Sequence, residues 1–144
     1  VLERHTLENI LETGFYTINH INEKIHKQAH QTSARYDRDC SEFDETGLIP
    51  EYKNDFFAPF VKESNVKLAL EFKEKITLSI NNTILIIGEV KEVYFPEDCL
   101  KKDGFLDIEK AASLTCSGLD SYHKTTRISR LSYAKANKEI ISII

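Results

Sequence analysis

The sequence predicts a mainly β fold with flanking helices, organised as a single domain over residues 1–144. Apolar and polar residues alternate from Val66 to Ile80, and a second apolar segment runs from Ile84 to Phe95. Asn81 and Asn82 between them suit a tight turn, because asparagine tolerates a positive φ. We therefore expect a long antiparallel hairpin of the kind that forms one wall of a barrel.

Within the second strand, four consecutive apolar residues run from Ile84 to Ile87. An uninterrupted run of this kind is typical of a strand that is buried on both faces. We expect the same of this strand.

The segment before the hairpin predicts two helices separated by a strand. Thr6 is expected to cap a first helix that Gly14 ends, and the aromatic and β-branched residues from Phe15 to Ile21 predict a strand. Asn22 is expected to cap a second helix that runs to about Ala34.

The remaining segments are less regular. The acidic stretch from Asp37 to Asp55 predicts surface loops and short helical turns. Asp107 is expected to cap a short helix through Ala112, and residues 114–119 and 128–134 are candidates for a late strand and an irregular loop.

Composition excludes several classes of function. The net charge of −4 argues against general nucleic-acid binding, which favours basic surfaces. No apolar run approaches the ~20 residues of a membrane-spanning helix. The three cysteines form no C-x-x-C pair, so the sequence signals no metal knuckle or redox dithiol and fits a cytoplasmic protein with reduced thiols.

The stretch from Ser117 to His123 is the richest in chemistry. It combines a glycine, two serines, a tyrosine and a histidine, and the residues from Lys124 to Lys138 that follow contain no acidic side chain. Aromatic and imidazole rings suit a flat ligand, whereas hydroxyls and cations suit an anion. This pattern favours a site for a flat, phosphorylated molecule.

Five segments together resemble the flavin reductase-like family, whose members bind FMN in a split β-barrel. In chain order they are RHTLENI from Arg4, AHQTSARY from Ala29, FAPFVKES from Phe57, SGLDSYH from Ser117 and RLSYAK from Arg130. The resemblance implies an FMN-binding split β-barrel, NAD(P)H as a transient co-substrate and a homodimer with the flavin near the interface. Because nothing like the family's first strands precedes Arg4, the chain is expected to lack the N-terminal strands of that barrel.

The residues and the resemblance together nominate nine cofactor-binding side chains. Arg4, His5 and Thr6 would hold an anion at a helix N-terminus, although Thr6 could simply be a cap. The other candidates would contact the flavin ring or line its pocket, and they are Asn19, His30, Ser33, Ser117, Tyr122 and His123. Each also has a plain structural interpretation as a turn, a helix flank or a packing residue.

Two other site types are disfavoured by the sequence. His26 and His30 have the spacing of a zinc pair, but no third ligand is evident, so we expect no metal. Ser121, Asp120 and His123 could be imagined as a hydrolase triad, but sequence neighbours rarely reach that geometry and no nucleophile elbow is present.

The sequence therefore predicts an FMN-binding flavoprotein that acts as an NAD(P)H-dependent flavin reductase, with the chemistry supplied by the cofactor. Two alternatives stay open at this stage. One is an FMN-binding electron carrier without catalytic activity, and the other is a flavin-free interaction domain.

Overall fold

The computed structural model describes residues 5–143, which form three small antiparallel sheets and three short helices. In chain order the elements are α1 (His5–Thr13), β1 (Phe15–Asn19), α2 (His26–Gln31), α3 (Glu42–Thr46), β2 (Pro50–Glu51), β3 (Phe60–Val61), β4 (Lys67–Leu78), β5 (Thr83–Tyr94), a 3-10 turn at Glu97–Cys99, β6 (Leu114–Ser117) and β7 (Ser121–Lys124).

The central sheet has the strand order β1–β4–β5 and contains the predicted hairpin, which is confirmed. Asn82 takes a left-handed φ of 57° in the turn between β4 and β5, as the asparagine pair predicts. β1 pairs with the first five residues of β4, so that Ile18 lies opposite Leu68. The hairpin therefore extends well beyond its third strand.

The expected burial of both faces between Ile84 and Ile87 is wrong. Burial alternates along this part of β5, and the side chains of Leu85 and Ile87 are 48% and 40% exposed. The reason is the short reach of β1, which ends its pairing at Glu71 and leaves the end of the hairpin two-stranded.

The first helix and strand lie where the sequence predicts them. Gly14 ends α1 with a φ of 77°, and its N–H donates to the carbonyl of Ile10 at 2.9 Å. The capping role of Thr6 is wrong, because α1 already includes His5 and a cap residue precedes the first helical residue.

The second helix is shorter than predicted. Asn22 is not its cap: Oδ1 of Asn22 accepts from the N–H of Lys24 at 3.0 Å in a turn that lies before the helix, while Nδ2 donates to the carbonyl of Glu63 at 2.8 Å. The residues after it form turns, and α2 begins only at His26 and ends at Gln31.

The expected helix after Asp107 is also wrong in extent. Asp107 Oδ1 does accept a hydrogen bond from the N–H of Lys110 at 3.1 Å, as a cap would. The segment stays a single turn because Ala112, with a φ of 58°, leaves the helical region. After β7 the described chain is irregular, with one bridge between Leu131 and Ser142.

Two clusters of apolar side chains form the core of the described residues. Val66, Cys99 and Ala111 pack together with Leu68, Phe95 and Leu106 around them, which joins the start of β4 to the segment before β6. Phe60 is fully buried against the other face of the sheet, where its ring meets that of Tyr94. In the described part of the chain, no helix is long and apolar enough to cross a membrane.

Candidate functional site

Two segments far apart in the sequence meet at an exposed corner between α2 and β7. The hydroxyl of Tyr122 lies 3.1 Å from Nδ1 of His30, which is within hydrogen-bond distance. The Tyr122 ring also meets the rings of His26 and His30 edge-on, with centroid separations of 5.9 and 5.8 Å. We call His26, His30 and Tyr122 the tyrosine–histidine corner.

The chain around β6 and β7 builds this corner. Gly118, with a φ of 63°, starts the turn that pairs Ser117 with Ser121. The N–H of Leu114 donates to the carbonyl of Ile21 at 2.8 Å, and Lys124 pairs with Glu23 at 2.7 Å. Both contacts hold the β6–β7 hairpin against the turn that leads into α2, so the tyrosine reaches the two histidines.

His123 occupies the other face of the same strand. Side chains alternate along a strand, so His123 and Tyr122 point in opposite directions. Nε2 of His123 lies 2.8 Å from Oγ of Ser117 and 3.2 Å from Oγ of Ser121, which gives a small exposed polar group. One flat ligand on one face of the hairpin can therefore contact Tyr122 or His123, but not both.

Asn19 has partners within the protein. Its Nδ2 donates to Oγ1 of Thr17 at 3.0 Å, and its Oδ1 accepts from the N–H of Val61 at 3.1 Å. The first bond lies within β1, and the second joins the end of β1 to β3. Each polar atom of the amide retains capacity for one further bond, so a ligand contact is compatible with this structural role.

Ser33 lies just after α2 and closes its last turn. Its Oγ donates to the carbonyl of His30 at 2.7 Å, the usual bond of a serine at such a turn. Ser33 is therefore next to the tyrosine–histidine corner in the chain, but its hydroxyl proton is used locally.

The three candidates at the start of the chain are not brought to the corner by any described contact. His5 and Thr6 lie in α1, whose Glu8 pairs with Arg38 at 2.5 Å. Among residues 5–143, no hydrogen bond, ion pair or ring contact joins α1 to the β6–β7 hairpin. Arg4 lies outside the described residues.

A partly buried polar pair joins the residue after β1 to the residue before β6. Nδ1 of His20 is 2.9 Å from Oγ of Ser113, and Oγ of Ser64 donates to the backbone carbonyl of His20 at 2.7 Å. Burial lowers the pKa of His20 below its ordinary value, because the charged imidazolium would lose hydration there. This histidine is therefore neutral at pH 7 and acts in packing.

Both histidines of α2 have partners within the protein. Nδ1 of His26 lies 2.8 Å from the carbonyl of Glu23, and His30 is engaged by Tyr122. No cluster of three or more potential metal-ligating side chains occurs among the described residues.

One functional candidate was missed by sequence reasoning. Arg127 and Arg130 both stack over the ring of Phe105, and together they line a cavity beside the β6–β7 hairpin. The basic run after Lys124 was noticed, but nothing in the local sequence links it to an aromatic ring from before β6.

Three comparisons place this geometry among known proteins. The family model described as flavin reductase like domain matches residues 2–112. A candidate flavin reductase with a split barrel domain from Shewanella frigidimarina NCIMB 400 is 52% identical, with a TM-score of 0.89 over 91% of this chain and 66% of that one. Flavoredoxin of Desulfovibrio vulgaris (Miyazaki F) is 25% identical, with a TM-score of 0.72 over 95% of this chain and 70% of that one.

A relative in Aquifex aeolicus (strain VF5), an uncharacterized protein, is 24% identical over 107 residues, which are 74% of this chain and 54% of the relative. The chain thus spans about half the length of that relative and about two thirds of the Shewanella protein. The split-barrel fold predicted from the sequence is confirmed by the solved structures, although the described strands by themselves leave the sheet open. The chain belongs to the flavin reductase-like domain family.

Proposed function

We propose that this chain forms the flavin-binding part of an NAD(P)H-dependent flavin reductase that uses FMN. Family membership supports a flavin-related function. FMN as the particular flavin, the nicotinamide co-substrate and the single-domain organisation belong to the proposal. When bound, the flavin would accept a hydride and pass electrons onward, so the protein has to bind and orient it.

The observation that carries this proposal is the tyrosine–histidine corner. It joins two of the segments that resemble the family, across 92 residues of sequence, through the Tyr122 hydroxyl and Nδ1 of His30. Fixed aromatic side chains at the surface are suited to contact a planar ring system, and stacking on such rings is worth about 1–3 kcal/mol. The side chains of the tyrosine–histidine corner therefore fit a flavin that binds on the face of the β6–β7 hairpin that carries Tyr122.

The residues around the corner have distinct roles in this proposal. Tyr122 contacts the ring, while His30 fixes the tyrosine hydroxyl and so the ring's orientation. The hydroxyls of Ser117 and Ser121 are exposed and can donate to polar atoms of a ligand bound on the His123 face. Arg4, His5 and Thr6 remain proposed phosphate contacts, and Asn19 and Ser33 proposed lining residues.

Two further properties belong to the proposal. We expect a homodimer in which one subunit's corner approaches the flavin of the other, and sedimentation equilibrium measures that state. The three free cysteines, two of them exposed, fit a reducing compartment and hence a cytoplasmic location.

The experiment is an FMN titration of the full-length protein that carries this chain, followed by flavin fluorescence. Tyr122→Ala should weaken FMN binding about 10-fold, the loss expected for roughly 1.4 kcal/mol of stacking. Tyr122→Phe keeps the ring and should bind within about 3-fold of the wild type.

The matched control is Tyr52→Ala. Tyr52 is 66% exposed and lies after β2, outside the segments that resemble the family, so its loss should leave FMN affinity unchanged. Equal FMN affinity of the wild type and Tyr122→Ala would contradict the proposed role of the corner. A protein that binds no flavin at all would contradict the proposed function itself.

The second candidate is an FMN-binding electron carrier without reductase activity, which the similarity to flavoredoxin favours. Oxidation of NADH and NADPH, followed at 340 nm with FMN present, separates the two. Turnover with either nicotinamide supports the reductase, whereas a protein that binds FMN but oxidises neither is the carrier.

A further inference from the structure

We propose that Arg127 and Arg130 form a binding site for the phosphate monoester of a nucleotide, separate from the tyrosine–histidine corner. The two arginines line two adjacent cavities of about 480 Å³ each, one against Phe105 and Thr125 and the other against Lys101 and Lys102. A volume of this size lies within the range of small-molecule sites. The inference does not depend on the proposed flavin chemistry.

Both guanidinium groups are held in place by one aromatic ring. Cζ of Arg130 lies 3.9 Å from the ring centroid of Phe105, and Cζ of Arg127 lies 5.0 Å from it. Their side chains are only 18% and 31% exposed. Stacking in a partly desolvated place reduces the freedom that each arginine would lose on binding an anion.

Each arginine has donors to spare. Nη2 of Arg127 donates to Asp107 and Nη2 of Arg130 donates to Asp103, both at 2.5 Å. Within residues 5–143, no hydrogen bond uses Nη1 or Nε of either side chain. A guanidinium has five N–H donors in a planar fork, so each arginine can still bind phosphate oxygens.

The local charge favours an anion as well. Lys101, Lys102, Arg127 and Arg130 supply four positive charges around the two cavities, against the carboxylates of Asp103, Asp107 and Glu109. Lys102 forms no ion pair with any described residue. The hydrogen bond from Arg130 lowers the pKa of Asp103, so that this aspartate stays charged and orients the arginine without removing the positive excess.

A buried hydroxyl points to a missing partner at the same place. Oγ1 of Thr125 is inaccessible to solvent and has no hydrogen-bond partner among the described residues. Thr125 lines the same cavity as the two arginines. Buried polar atoms nearly always have a partner, so an unpaired hydroxyl beside two cations suggests that a ligand oxygen completes the group.

The rest of the cavity wall selects a nucleotide over free phosphate. Phe105, Leu106 and Ile108 line the cavity next to the arginines. An apolar wall offers nothing to inorganic phosphate, but it can contact the flat base or the sugar of a nucleotide.

The test is isothermal titration of the flavin-free, full-length protein with adenosine 5′-monophosphate, adenosine and inorganic phosphate. We expect the nucleotide to bind at least 10-fold more tightly than either of the other two. If adenosine binds as tightly as the nucleotide, the phosphate contributes nothing and the proposed anion site is wrong. If inorganic phosphate binds as tightly as the nucleotide, the apolar wall has no role in binding.

Two sets of variants assign the binding to these residues. Arg127→Gln with Arg130→Gln should weaken nucleotide binding at least 10-fold. Because that double substitution also breaks three ion pairs, Lys102→Gln provides a second measurement that leaves every described contact intact, and it should weaken binding about 3-fold. Lys75→Gln, at an exposed position of β4 outside this basic run, is the matched control and should have no effect.

The result that overturns the proposal is nucleotide affinity that stays the same in Lys102→Gln and in the folded double variant. Loss of binding in both, with Lys75→Gln unchanged, supports it. The flavin affinity of the same variants is measured separately. The two measurements together distinguish a failure of this site from a failure of the proposed function.

Discussion

The two ends of the β4–β5 hairpin are formed by the same two strands but have different surroundings. We define the hairpin base as residues 67–72 with 88–94, and the hairpin tip as residues 73–78 with 83–87. At the base Ala69 is fully buried and Leu70 is 5% exposed. At the tip no described strand flanks the pair, and every residue from 73 to 78 is exposed.

The comparison separates what a strand pattern determines from what its neighbours determine. Alternation assigns each side chain to one face of the sheet, at the base and at the tip alike. Whether other residues cover that face depends on β1 and on β3, which contains Phe60. Both of these strands contact the base only. Single substitutions should therefore cost much more at the base than at the tip.

The largest effect is expected from Phe60→Ala. Phe60 has no exposed surface, and its ring packs edge-on against Tyr94, with the ring centroids 5.3 Å apart. Removal of a buried phenylalanine side chain typically costs about 3–5 kcal/mol, because a cavity remains. Urea denaturation followed by circular dichroism measures the free energy of unfolding.

The matched control for Phe60→Ala is Ile76→Ala at the tip. Ile76 is 36% exposed and faces Leu85, which is also exposed, so a loss of about 1 kcal/mol is expected. Similar losses of unfolding free energy in the two variants would show that the tip is covered in solution. That result would contradict the difference between the base and the tip.

The next largest loss of stability is expected at Gly88, which lies at the boundary between base and tip. A methyl group on Gly88 would overlap the hydroxyl of Tyr16 and lie 2.8 Å from its Cζ. Gly88→Ala should therefore displace the tyrosine ring and cost about 1–3 kcal/mol, the usual range for overpacking. The same urea titration applies, with Lys75→Ala at an exposed position of the same hairpin as the control. An unchanged midpoint for Gly88→Ala would mean that Tyr16 moves away without cost.

A smaller effect is expected at the buried lysine of the base. Nζ of Lys67 donates to Oε2 of Glu51 at 2.5 Å and to the carbonyl of Lys62 at 3.1 Å. The hydrogen bond from Lys67 lowers the pKa of Glu51, so this carboxylate is ionised at neutral pH. Glu51→Gln keeps an acceptor but removes the charge, and should cost about 1 kcal/mol for this partly exposed pair.

The acid dependence of the same pair gives the sign of the effect. The pKa of Glu51 is lower in the folded chain than in the unfolded one, so its contribution is complete above the ordinary glutamate pKa. It is lost as pH falls through the folded value. Stability differences between the wild type and Glu51→Gln should therefore shrink in acid, and a constant difference from pH 7 to pH 3 would contradict this account.

The smallest effect is the pH dependence from His20. Its folded pKa lies below the ordinary 6.5, because burial disfavours the charged ring. The unfolded chain then binds more protons, so stability should fall as pH drops from above 6.5 toward the folded pKa. Thermal melts between pH 8 and pH 5 measure this slope, which His20→Asn, an isostere for the Nδ1 bond to Ser113, should reduce.

Local patterns predicted the fold well wherever one stretch of chain determines its own structure. The β4–β5 hairpin with its Asn82 turn, the end of α1 at Gly14 and β1 all lie close to their predicted places. The errors arose where distant partners decide. Asn22 bonds to Glu63 and Ser113, and the chain after it forms a turn, so that α2 begins only at His26.

The candidate site was predictable in part for the same reason. Tyr122 and His30 were nominated separately, yet no spacing rule shows that residues in a late strand and an early helix touch. The strand also places His123 on the face opposite Tyr122, a distinction that needs β6 and β7 to be located first. The pairing of Arg127 and Arg130 with Phe105 could not be read from the local sequence, because the partners come from separate elements.

The tight Asn81–Asn82 connection also bears on how the chain assembles. Leu78 and Thr83 are held together by a four-residue loop, whereas the pairing of Asn19 with Lys67 must first order everything between α2 and β3. Short loops close faster and at lower entropic cost than long ones. The β4–β5 ribbon is thus the natural nucleus on which β1 docks, and a mutation that disturbs Asn82 should slow refolding in stopped-flow experiments more than it speeds unfolding.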